Sequence, residues 1–60
     1  MNSNKNLGDK IRVLRKMIDL NQDNLAEVLN VSQQTYSRME NTSKINGEQL
    51  DIIAKVLGVK

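Results

Sequence analysis

Sixty residues make one small domain that buries about 60% of its unfolded surface, with stability on the order of a few kcal/mol and no spare core for an enzyme cleft. There is no Cys and no His, so disulfides, thiolate or imidazole metal sites and the usual nucleophile and base pairs are excluded. A formal charge of +2 is by itself a poor argument for nucleic acid, and neither an enzyme nor a cofactor is expected.

The distribution of charge says more than its sum. Residues 1–20 hold Lys5, Lys10, Arg12, Arg15 and Lys16 against Asp9 and Asp19, whereas residues 21–40 set Arg38 against Asp23, Glu27 and Glu40. No apolar run is long enough for a signal peptide or a membrane span, and the polar helix faces carry too few cations for a membrane-active peptide. The cytoplasm is the default compartment.

The opening MNSNKN is polar, and residues 1–6 read as a flexible tail rather than an arm touching phosphate through Lys5. Leu7, Ile11, Leu14 and Ile18 recur at helical spacing and predict a first helix over roughly 6–18. Asn6 is its expected cap, and Gly8 weakens the first turn by about 1 kcal/mol relative to Ala. Asp19, Leu20 and Asn21 form a connector, with Leu20 packing back on the core.

Asn21 is a natural cap for a second helix, Gln22 to Leu29, whose Leu25, Val28 and Leu29 mark an apolar face. Asn30 ends it, because Asn tolerates the left-handed conformation. Ser32 caps a third helix over about 32–41, with Val31, Thr35, Tyr36 and Met39 in one half of its wheel. TSKIN, residues 42–46, reads as a loop. Asn46 with Gln49 resembles a capping box for a last helix over Gly47 to Leu57, which buries Leu50, Ile53, Ala54 and Leu57 and stops at Gly58.

Opposite the apolar half of the third helix stand Gln33, Gln34, Ser37, Arg38 and Asn41. A side-chain amide matches the N6 and N7 edge of adenine and a guanidinium matches O6 and N7 of guanine, so this face can read bases in a major groove. Any surface helix also has a polar face, so the wheel alone leaves a solvated face open.

The strings LNQDNLAEVLNVSQQTYSRMEN and LDIIAKVLGV resemble the helix-turn-helix of the Cro and phage-repressor (XRE) type together with its closing helix. Ala26, Val31, Tyr36 and Met39 fit that family's packing pattern, and the resemblance covers about residues 7–60. The chain departs from the pattern at Asn30 and Thr42, where the family usually has Gly, and in having no Pro.

The resemblance implies an all-α fold, a small four-helix orthogonal bundle with a helix-turn-helix. It also implies sequence-specific binding of double-stranded DNA as a prokaryotic or phage transcriptional regulator, with the third helix in the major groove. Gln33, Gln34, Ser37 and Arg38 would meet bases, and Asn21, Gln22, Asn41 and Lys44 the backbone. Arg15 and Glu40 occupy the positions of the family's structural ion pair.

Relatives commonly continue into a fifth helix or a dimerisation segment. This chain stops at Lys60, as either a naturally short protein or a trimmed domain. Operators of such domains are usually two-fold, which implies a homodimer on DNA, and with so little chain association in free solution should be weak. The other class of function left open is a protein-interaction module, an antitoxin or anti-repressor-like factor with the same fold.

Overall fold

Polar caps set where these helices begin, and apolar spacing sets what they bury. The computed structural model describes residues 4–58, with side chains from Leu7 onward. The chain forms α1 (Asn4–Met17), α2 (Gln22–Leu29), α3 (Gln33–Thr42) and α4 (Gly47–Leu57), with no strand among the described residues. α3 packs against both α1 and α2, and α4 packs on α2. This is a small all-α bundle with α2 and α3 as its helix-turn-helix.

Caps and stops fall at polar residues. Asn21 Oδ1 accepts from the Asn24 backbone N–H at 3.1 Å, and Asn24 Oδ1 returns a bond to the Asn21 N–H. Asn46 and Gln49 make the same reciprocal pair at the start of α4. Ser32 caps α3 by accepting from the Thr35 N–H. Asn30 lies at φ 61° and Asp19 at φ 64°, and each closes a helix by the same pattern. Val31 donates to the Ala26 carbonyl and Asn30 to Glu27, as Leu20 donates to Arg15 and Asp19 to Lys16. Two carbonyls left over by each helix end are thereby satisfied.

Several boundaries differ from the sequence reading. α1 starts at Asn4, so residues 4–6, read as part of the tail, are helical, and Asn6 lies inside the helix rather than capping it. Residues 1–3 and the Lys5 side chain, read as tail and as a phosphate arm, lie outside the described residues. α3 includes Thr42, whose hydroxyl donates to the Arg38 carbonyl at 2.7 Å and so follows the helix instead of opening a loop.

The core is Ile11, Leu25, Ala26, Tyr36, Met39 and Ile53, flanked by Leu7, Leu29, Val31, Ile45, Leu50, Val56 and Leu57. Ile45, read as loop, thus packs on the core. Val28 is 47% exposed and Thr35 is exposed, both against expectation. At about 100° per residue Leu25, Leu29 and Ala26 form one sector that leaves Val28 at its edge. In α3 the corresponding sector is Tyr36, Met39 and Glu40, and Thr35 falls beyond it. Ile18, also expected on the buried stripe, follows the end of α1 and is 47% exposed.

Gly8 lies where α1 and α3 come closest. A Cβ there would overlap the Glu40 carbonyl oxygen and lie 2.9 Å from the carbonyl carbon. The Gly8 N–H also donates to Ser43 Oγ at 2.9 Å, and Ser43, at φ 59°, ends α3. Gly8, which the start at Asn4 places in the second turn of α1, therefore weakens the helix and permits the contact that seats α3.

Candidate nucleic-acid interface

A carboxylate buried in a small core must be fully paired. Glu40, 1% exposed, accepts five hydrogen bonds from four side chains. Arg15 Nε (3.0 Å) and the Tyr36 hydroxyl (2.7 Å) reach Oε2. Arg15 Nη2 (3.3 Å), Arg12 Nε (3.3 Å) and Gln22 Nε2 (3.0 Å) reach Oε1. Arg15 also donates to the Leu20 carbonyl at 2.8 Å, which ties the connector to the same centre. No buried side-chain nitrogen or oxygen among the described residues lacks a partner.

Burial alone pushes Glu40 upward. Hydrogen bonds from Arg15, then Tyr36 and Gln22, together with the charge of Arg15, outweigh it and hold the carboxyl below its ordinary range. Tyr36 is pushed above the ordinary phenol range, first by burial and then by the carboxylate it donates to.

The Glu40 cluster continues outward to the solvent face of α3. A carboxylate only accepts, so Gln22 must turn its nitrogen inward and its oxygen outward. That oxygen accepts from Gln33 Nε2 at 3.2 Å. Gln33 is left with one N–H and its carbonyl, the donor and acceptor pair that fits adenine N7 and N6.

Gln33, Gln34, Ser37, Arg38, Asn41 and Thr42 line one shallow, open surface depression. Ser37 is half-buried and the others are exposed. Of the residues assigned to backbone contact, Asn41 lies in this depression and Gln22 adjoins it through Gln33. Asn21 and Lys44 do not line it, although both are exposed. The Asn21 oxygen is taken by its capping role, which leaves its NH2 for another partner.

The sequence assigns Arg12 no role beyond its charge. Besides Glu40 it donates to Asp9 Oδ1 at 3.2 Å and to Asn41 Oδ1 at 3.0 Å. The only local hint was the spacing of Asp9 and Arg12, i and i+3 on one helix.

No helix among the described residues is long and apolar enough to cross a membrane, and none of their acidic side chains cluster as a metal site would require. A family model described as Helix-turn-helix matches residues 11–60. Comparison with curated proteins and comparison with solved structures each gave no match. With two helices joined by a tight Asn30 turn, a third and fourth closing the core, and that match over most of its length, the chain belongs to the helix-turn-helix family of DNA-binding domains, of the Cro and phage-repressor type.

Proposed function

We propose that this domain reads a specific double-stranded DNA sequence as a transcriptional regulator, most simply a repressor. The observation that carries the reading is the division of α3. One side buries Tyr36, Met39 and Glu40, while the other opens Gln33, Gln34, Ser37, Arg38 and Asn41 to solvent in a single depression. In this arrangement α3 lies in the major groove with its N-terminal Gln33 and Gln34 at the bases, and Arg38 one turn further along reaches a guanine.

Ser37 serves a base or a phosphate. Asn21, Gln22, Asn41 and Lys44 hold the backbone, helped by the positive N-terminal end of α2. The operator is two-fold, with half-sites about one turn apart, and the protein binds it as a homodimer assembled on DNA.

Arg38 is exposed and its side chain forms no hydrogen bond or ion pair with the described residues, so Arg38→Ala tests the reading without disturbing the fold. The expected result is an unchanged melting temperature and a loss of about 1 to 3 kcal/mol of discrimination at one base pair. An equal loss on all duplexes would remove Arg38 from the base-reading set.

A further inference from the structure

The geometry points to Arg12 as a positioning residue that fixes how Asn41 meets the DNA backbone. This inference rests on the DNA-reading function proposed above. A guanidinium can only donate, so its bond to Asn41 Oδ1 (3.0 Å) consumes the amide's acceptor. The outward-facing group of Asn41 is then its NH2. A phosphate oxygen requires a donor, and an Asn free to flip would present its carbonyl to the phosphate half the time.

Arg12 is itself held from two further directions. Its Nε donates to Glu40 Oε1 at 3.3 Å and its Nη1 to Asp9 Oδ1 at 3.2 Å. The three bonds use three different nitrogens of one planar fork, a geometry that the point charge of Lys cannot reproduce. Arg12 is also the group that ties α1 to the end of α3 on the outer side of Glu40, as Arg15 does on the inner side. With the Arg12 charge already facing Asp9 and Glu40, its contribution is to orientation and not to charge on the phosphate.

The test is a cycle of Arg12→Lys, Asn41→Ala and the double variant in the sixty-residue chain, titrated against a selected duplex and a scrambled one. The folded fraction is read in parallel by circular dichroism; Arg15, Tyr36 and Gln22 still satisfy Glu40 when Arg12 is changed. Asn41→Ala is expected to lose about tenfold in affinity on both duplexes and Arg12→Lys about twofold, with the double variant losing no more than Asn41→Ala alone. Arg12→Gln is expected to leave the salt slope within about half a unit of the wild type.

Losses that multiply in the double variant would overturn the inference. So would a slope that falls by about one unit in Arg12→Gln, since Arg12 would then meet the phosphate itself. A wild-type chain that binds neither duplex would overturn the DNA-reading function and this inference with it, whereas binding with multiplying losses would overturn only the role of Arg12.

Discussion

Glu40 is the residue on which both stability and the candidate site depend. Replacing it by Gln leaves two guanidinium groups without their carboxylate, and breaking a buried pair costs about 3 to 5 kcal/mol, comparable with the whole stability of so small a domain. Glu40→Gln is therefore expected to lower the melting temperature far more than it lowers DNA affinity corrected for the folded fraction. The reverse ranking would contradict its structural role. Gly8→Ala gives a second prediction at this scale, with opposing terms. Helix propensity favours Ala by about 1 kcal/mol, but the overlap of the new Cβ with the Glu40 carbonyl costs about 1 to 3 kcal/mol. A net destabilisation in urea is expected, and a gain would mean that α1 and α3 separate easily. The sequence showed Glu40 and Arg15 only by resemblance. It held no sign of Arg12 or Gln22 as partners of Glu40, or of Ser43 as the acceptor for Gly8, because bonds between residues far apart in the chain leave no local pattern.

At the scale of elements, much was legible. Asn21, Ser32 and Asn46 as caps and Asn30 as a stop are local chemistry, set by side chains reaching their own backbone, and the helix starts at Gln22, Gln33 and Gly47 follow from them. What periodicity could not supply was the centre of each buried sector. Val28 and Thr35 were placed inside by spacing alone, and the packing of α2 between α3 and α4 turned the sectors past them. Glu40, read as the partner of Arg15, completes the buried sector of α3 beside Tyr36 and Met39. Asn30 supplies the element-scale prediction: its φ of 61° is one that Gly adopts freely and Ala does not. Asn30→Ala is expected to cost about 1 to 2 kcal/mol, and Asn30→Gly to stay close to the wild type. Equal losses in chemical denaturation would show that the Asn side chain, and not the backbone angle, secures the turn.

For the whole molecule, the buried cluster predicts how stability depends on pH. Glu40 has a lower pKa folded than unfolded, so the unfolded chain binds more protons in acid. Its contribution is present above the unfolded value of about 4.3 and is lost as pH falls through the folded one. Tyr36 has a raised pKa, so its contribution is complete below about pH 10 and is lost as the pH rises further. Melting temperatures measured from pH 3 to 11 should form a plateau that falls at both ends (about pH 4 and about pH 10), and Glu40→Gln should flatten the acid side. On the same scale, the few cations of the candidate face, Arg38 and nearby Lys44, imply a shallow salt dependence. Lys44→Ala should weaken every duplex alike and reduce the slope; an unchanged slope would remove Lys44 from the backbone contacts.

The central claim is that the open face of α3 reads a sequence. Selection of bound duplexes from a random pool at low salt, followed by titration of the enriched duplex against scrambled DNA, tests it most directly. The account predicts a two-fold motif with half-sites about one helical turn apart, bound at least about a hundredfold more tightly than scramble. No enrichment, with only weak salt-sensitive binding to every duplex, would contradict it and favour a protein as the partner of this face.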